Sequence, residues 1–164
     1  MEKSIADLKE AFAGESQANR KYLAFAEKAD KEGYPQVARL FRAAAHAETV
    51  HALNHLRALK GIGSTAENLK EAIAGESAEF QKMYPRMIAD SKAEGHKEAE
   101  RTFTFANEVE QVHARLYQKA LETMEDKKLV DIYVCSVCGY TAEGEAPDTC
   151  PVCKAAKKMF TRID

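Results

Sequence analysis

Apolar and small residues recur at helical spacing through most of the chain. From Ser4 to about Lys31 the series Leu8, Phe12, Ala18, Tyr22, Phe25 and Ala29 predicts one long helix, with Ser4 and Asp7 suited to its first turn. Gly33 ends it, and Pro35 stands at a first helical position, where a missing N–H and a preset φ are tolerated. Val37, Phe41, Ala44, Ala52, Leu56 and Leu59 carry a second helix to about Lys60, broken by Gly61 and Gly63. Ser64 or Thr65 can cap a third helix through Leu69, Ile73, Phe80, Met83 and Met87, with a bend expected at Pro85 because proline deletes a backbone donor. After Gly95, the residues Phe103, Ala106, Val109, Val112, Leu116, Tyr117, Ala120 and Met124 form a fourth, fraying into Glu125 to Lys128. Four amphipathic helices predict an all-α four-helix bundle over residues 1–128.

The bundle is written twice. LKEAFAGES from Leu8 to Ser16 returns as LKEAIAGES from Leu69 to Ser77, a match too long for helical composition to produce, so the chain contains a duplicated helical hairpin. Leu8 pairs with Leu69 and Glu15 with Glu76 at an offset of 61, whereas Tyr22 with Tyr84, Gly33 with Gly95, Glu48 with Glu110 and His51 with His113 pair at 62. One residue is therefore inserted between Glu76 and Tyr84, in the window that holds Glu79. Such an insertion is absorbed either as a single π turn, frequent at functional sites, or as a slip at a helix end, and the π turn is the expected outcome.

The tail from about Leu129 differs in kind. Val130, Ile132 and Val134 alternate as in a short strand, and Gly139 to Pro151 reads as turns. The first 134 residues lack cysteine, and then Cys135, Cys138, Cys150 and Cys153 arrive as two Cys-x-x-Cys pairs. This clustering indicates a metal rather than disulfides, and so short a segment needs the metal to fold. Residues 129–164 form a second, metal-stabilised β/turn domain in this reading. A net charge of -2, with acids and bases interspersed, gives no basis for nucleic acid or an anionic membrane as partner. No apolar run approaches a membrane span and no signal peptide is recognisable, so a reducing cytoplasm is the expected location.

The repeat also carries Glu15 with Glu48-x-x-His51, and Glu76 and Glu79 with Glu110-x-x-His113. Residues three apart lie on one helix face, and the acids share lines with apolar neighbours: Phe41, Ala44, Glu48, His51 and His55; Ala106, Glu110, His113 and Tyr117; Leu8, Phe12, Glu15 and Tyr22. A single glutamate is ordinarily solvated. Ligand-type residues on the inward lines of all four helices are not, because buried carboxylates without cations cost several kcal/mol or neutralise. Five carboxylates balance two divalent or trivalent ions, and hard oxygen donors with two imidazoles suit iron or manganese. A Glu from each of two helices with Glu-x-x-His from each of two others is the ligand set of di-iron and di-manganese bundles. Gly14 and Gly75 precede the first glutamate of each half and imply close helix contact or ligand access, unless merely inherited by duplication. Tyr22 and Tyr84 lie near the acids as hydrogen-bond donors to ligating carboxylates or as ordinary core residues, while His46, His55 and His96 lack repeat partners and read as structural or exposed. At the cysteines, a zinc ribbon and a single iron in four thiolates share the same spacing; a redox-active neighbour favours iron, with Tyr133, Val137, Tyr140 and Phe160 as its apolar surround.

With AGES at Ala13 to Ser16 and Ala74 to Ser77, ETVH at Glu48 to His51, EQVH at Glu110 to His113, and CSVCGY with CPVC, nearly the whole chain resembles the rubrerythrins. The resemblance implies a ferritin-like di-iron bundle joined to a rubredoxin-like domain. It implies that Glu48 and Glu110 bridge two irons, Glu15 binds one, and Glu76 with His113 the other. Glu79 and His51 are then the exchanging pair, one holding the first iron when oxidised and the other when reduced. It further implies reduction of hydrogen peroxide to water, two irons at the carboxylate site and one at Cys135, Cys138, Cys150 and Cys153, with zinc an alternative occupant. The external donor would be a rubredoxin or an NAD(P)H-dependent reductase. A dioxygen-reducing or ferroxidase role uses the same metals, and an iron-storage bundle or zinc-ribbon adaptor is the non-catalytic alternative.

The link between halves is short. Glu48 to Lys60 is about 18 Å of helix and Thr65 to Glu76 about 16 Å at 1.5 Å per residue. Gly61 to Thr65 reach only about 17 Å, about half of the roughly 34 Å that parallel second and third helices require. A domain-swapped homodimer is therefore expected, the first hairpin of one chain meeting the second hairpin of another.

Overall fold

The computed structural model describes Glu2 to Asp164, in two units: one ends at Gly63 and the other spans Ser64–Asp164. In the first, α1 (Glu2–Lys31) and α2 (Pro35–Ala58) form a hairpin. Gly33 takes φ 82 and the Tyr34 N–H bonds to Ala29 O at 2.9 Å, closing α1 with the left-handed residue that only glycine adopts without cost. The seam is lined by small residues: Ala26, Ala29 and Ala38 are buried, with Phe41 packed on them. Alanine lets the helices approach closely, and one buried polar group ties them together. Asn19 Nδ2 donates to Ala45 O at 2.7 Å and to Thr49 Oγ1 at 2.9 Å. Larger apolar residues of this hairpin stay uncovered in the single chain, including Phe25 at 46%, Val37 at 45% and Leu40 at 68% exposure. The first helix begins at Glu2, two residues before the start read from the sequence, and Ser4 lies in its first turn.

The second unit opens on a capping box. Ser64 Oγ accepts from the Glu67 N–H and the Glu67 carboxylate accepts from the Ser64 N–H, fixing the start of α3 (Thr65–Ala78). A π turn follows at Glu79–Met83, then α4 (Tyr84–Ala93) and α5 (Lys97–Glu122). The inserted residue is therefore taken up within the helix, as the repeat register predicts. Pro85 lies in the first turn of α4, directly after the π turn. Gly95, with φ 70, ends α4, and His96 caps α5 by accepting the Ala99 N–H on Nδ1 at 3.3 Å, which gives that histidine a structural role. The duplication persists in the aromatic packing: Tyr22 and Phe41 have ring centroids 6.1 Å apart, and their repeat partners Tyr84 and Phe103 6.3 Å.

The tail forms an antiparallel sheet in the order β2-β1-β3, with β1 at Ile132–Cys135, β2 at Thr141–Glu143 and β3 at Phe160–Ile163. Only β1 has the alternation of a strand. β2 lies inside the segment read as turns, and β3 (Phe-Thr-Arg-Ile) carries no signal of its own; both pair because the backbone of β1 needs partners on each side. The boundary read at residue 128 lies within the second unit, since β2 packs on α5. Among the described residues no helix is long and apolar enough to cross a membrane.

Candidate metal centres

Each hairpin assembles a three-residue ligand set. In the first, donor atoms of Glu15, Glu48 and His51 lie within 4.8 Å of one another; in the second, Glu76, Glu110 and His113 do the same. The two sets match in detail. His51 Nδ1 is 2.8 Å from Glu48 Oε2 and 3.7 Å from Glu15 Oε1, and His113 Nδ1 is 2.8 Å from Glu110 Oε2 and 3.9 Å from Glu76 Oε1. Helical i,i+3 spacing alone brings each Glu-x-x-His pair together, and packing within the hairpin adds the third carboxylate. Hard oxygens with one imidazole per set fit an iron or manganese pair. The sets differ in cover: the His51 side chain is 53% exposed and that of His113 27%.

Glu79 enters from the π turn. It stands outside the three-residue set but near enough for the Glu110 charge to act on it. Burial first, then Glu110, hold its carboxyl above the ordinary range, against the pull of His113. Tyr84 is raised by burial and by the charges of Glu79, Glu110 and Glu76, so its phenol keeps its proton and remains a donor beside these acids. Glu76 is pushed up to about 7 by burial, by a hydrogen bond with Glu110 and by the Glu110 and Glu79 charges. A proton shared between Glu76 and Glu110 is what like charges adopt when no cation is present. Folding thus tightens proton binding at Glu76, and the stability this contributes to the metal-free protein is present at low pH and lost as pH rises through about 7. A divalent ion must displace that proton. The affinity of metal-free protein for Mn(II) is expected to climb toward pH 7 and level off above it, with proton release detected calorimetrically in buffers of different ionisation heat. Affinity that stays flat between about pH 5.5 and about 8 would contradict the shared proton.

The cysteines form two equivalent knuckles. Gly139 N–H bonds to Cys135 O at 2.8 Å and Cys135 N–H to Tyr140 O at 2.9 Å; Lys154 N–H bonds to Cys150 O at 3.0 Å and Cys150 N–H to Ala155 O at 2.8 Å. Both turns need a left-handed residue, Gly139 at φ 84 and Lys154 at φ 64, and in the second a lysine bears the strain. Cys135 Sγ lies 3.7 Å from Cys153 Sγ, and Cys138 Sγ 3.6 Å from Cys150 Sγ. These separations fit the edge of a tetrahedron with metal–sulfur bonds of about 2.3 Å, an edge of about 3.8 Å. Burial and neighbouring thiols push Cys138 well up, and burial raises Cys153. Cys135 is also buried, yet hydrogen bonds from the Val137 and Cys138 amides bring it below the ordinary thiol value. Amides aimed at sulfur favour thiolates that only a cation allows to ionise together.

Some expectations take a different form. A Cβ built on Gly14 or Gly75 meets nothing within 4 Å, so close contact inside the hairpins is not what these glycines serve. Residue spacing did not reveal Thr141, whose hydroxyl lies 3.0 Å from His113 Nε2, nor Asn19, because both act across elements distant in sequence.

Two carboxylate and imidazole sets on helical hairpins, together with a tetrathiolate module in the same chain, define a ferritin-like di-metal protein with a rubredoxin-like domain. The Rubrerythrin family model matches residues 7–121, and the model for the rubrerythrin rubredoxin-like domain matches 133–161. The chain belongs to the rubrerythrin family, whose members are oxidoreductases with di-iron and rubredoxin-like domains. It is 39% identical to Rubrerythrin-2 of Clostridium acetobutylicum over 93% of this chain and 92% of the relative. It is 36% identical to nigerythrin of Nitratidesulfovibrio vulgaris over 96% of this chain and 85% of that one. Solved structures of nigerythrin in partially reduced and fully reduced, all-ferrous states match with a TM-score of 0.61 and 34% identity, covering 97% of this chain and 86% of theirs.

Proposed function

We propose that this protein is a non-haem di-iron peroxidase that reduces hydrogen peroxide to two waters, consuming two electrons and two protons. The observation that carries this reading is the same Glu plus Glu-x-x-His geometry built twice, once in each hairpin. Glu48 and Glu110 would be shared between two irons, Glu15 would hold one, and Glu76 with His113 would hold the other. Glu79 and His51 would be the alternative ligands of the first iron, the carboxylate suiting the more highly charged oxidised ion and the neutral imidazole the reduced one. Tyr22 and Tyr84 would donate hydrogen bonds to the ligating carboxylates. When bound, the irons supply Lewis acidity and two electrons to the O–O bond, and the iron at Cys135, Cys138, Cys150 and Cys153 supplies one-electron transfer from an external rubredoxin or NAD(P)H-dependent reductase.

Residues 1–128 are the catalytic module and 129–164 the electron-entry module of a cytoplasmic homodimer. The exposed Phe25, Val37 and Leu40 of the first hairpin, with the short link before Thr65, favour hairpins exchanged between chains. Stopped-flow reoxidation of the diferrous protein tests the oxidant: peroxide is expected to outpace dioxygen, and the reverse order overturns the reading. His51→Ala is expected to slow reoxidation by peroxide about tenfold or more while both irons still load. An unchanged rate removes His51 from the exchanging pair.

A further inference from the structure

The two histidines of the repeat share the same surroundings at Nδ1 and differ at Nε2. Among the described residues His51 Nε2 has no hydrogen-bond partner, whereas His113 Nε2 lies 3.0 Å from Thr141 Oγ1. Thr141 is held from both sides. Its hydroxyl donates to Gly139 O at 3.2 Å, and its backbone pairs with Val134 in the sheet. Lys119, six residues beyond His113 on α5, also bonds to Glu143, the last residue of β2. With its own proton directed to Gly139, the Thr141 oxygen faces His113 as an acceptor. Nε2 then carries the ring proton, and Nδ1 turns its lone pair to Glu76 and Glu110, the side on which a metal must sit.

We infer that Thr141 is a positioning residue: by accepting the His113 Nε2–H it pins that imidazole as a permanent ligand, and the absence of such an anchor in the first hairpin leaves His51 the ring that is able to leave. The inference rests on the di-metal assignment above but not on peroxide as the substrate. A hydrogen bond on the non-ligating nitrogen fixes ring orientation and raises basicity, and removing one typically weakens metal binding about 10- to 100-fold. Threonine is suited to this because one hydroxyl both accepts from the ring and donates to the knuckle backbone, so the ring inherits the rigidity of the folded cysteine module.

The test uses the full-length protein and its T141V and T141S variants, with visible iron–thiolate absorption confirming that the cysteine module is folded. Ferrous protein is challenged anaerobically with excess bipyridine. Wild type is expected to release iron in two phases, with T141V accelerating the slow phase about tenfold or more, the fast phase unchanged, and T141S restoring the wild-type rate. A slow phase unaffected by T141V, equal acceleration of both phases, or failure of T141S to restore the rate overturns the proposal. In protein with zinc at the cysteines and no metal at the carboxylates, a slowly exchanging His113 ring N–H resonance is expected in wild type and T141S and absent in T141V; its absence from wild type also overturns it. If T141V loses the iron–thiolate band, Thr141→Ala takes its place with the same outcomes. Failure to load iron at the carboxylates refutes the di-metal assignment, while slow peroxide turnover with biphasic release refutes only the peroxidase reading.

Discussion

Cys150→Ser is expected to unfold residues 129–164 while the helical hairpins persist. Cys150 is fully buried, yet the module around it has little apolar mass: its other buried side chains are Cys135 and Ala146. The three strands contain four, three and four residues, and the turns between them consist mainly of knuckle backbone. Metal binding to such modules contributes about 10–16 kcal/mol, more than the stability of many whole domains, so a ligand that cannot replace thiolate leaves too little to order the chain. The expected signature is loss of the visible iron–thiolate absorption and of amide protection at Ile132 to Cys135, with far-ultraviolet helical circular dichroism retained. A C150S protein that keeps protected β1 amides after chelation would show that the sheet stands without metal.

Glu110→Ala is expected to have the second largest effect, with opposite signs for binding and for stability. Glu110 lies 2.8 Å from His113 Nδ1, shares a hydrogen bond with Glu76, and raises the carboxyls of Glu76 and Glu79 and the phenol of Tyr84. Its removal relieves like-charge repulsion in the metal-free protein, so thermal stability above pH 7 is expected to hold or rise. Iron retention and peroxide turnover are expected to fall by more than about 100-fold, beyond the loss typical of a ligand's hydrogen-bond partner. A merely structural glutamate would lower stability and leave binding near normal. Thermal melts with and without metal, alongside iron analysis, separate the two.

The helices and the ligand sets were legible because each depends on local spacing. Leu8, Phe12 and Tyr22 mark a stripe, Glu48 and His51 sit one helical turn apart, and duplication repeats the text where a single copy would be ambiguous. The π turn was legible for a different reason: comparison of the halves counted its residue. What escaped depends on meetings between distant segments. β3 is exposed along most of its length and exists because β1 offers it hydrogen bonds. Asn19 has a helix-neutral sequence context, and only the approach of Ala45 and Thr49 makes it a buried tie. Thr141 resembles any turn threonine until α5 brings His113 beneath it.

The π turn at Glu79–Met83 has a consequence for the direction of traffic through the centre. Two identical hairpins facing one another would give a cluster with interchangeable ends, on which oxidant and reductant have no preferred approach. One additional residue, on one side only, places a carboxylate that has no twin. On the proposed assignment a cluster so built has a polarity: the end served by Glu79 and His51 would change ligands while the other, under Thr141, would stay tethered to the cysteine module. Deleting a single residue from this window would restore an α-helical register and remove that source of polarity, leaving the Thr141 contact to His113 as what still tells the two ends apart.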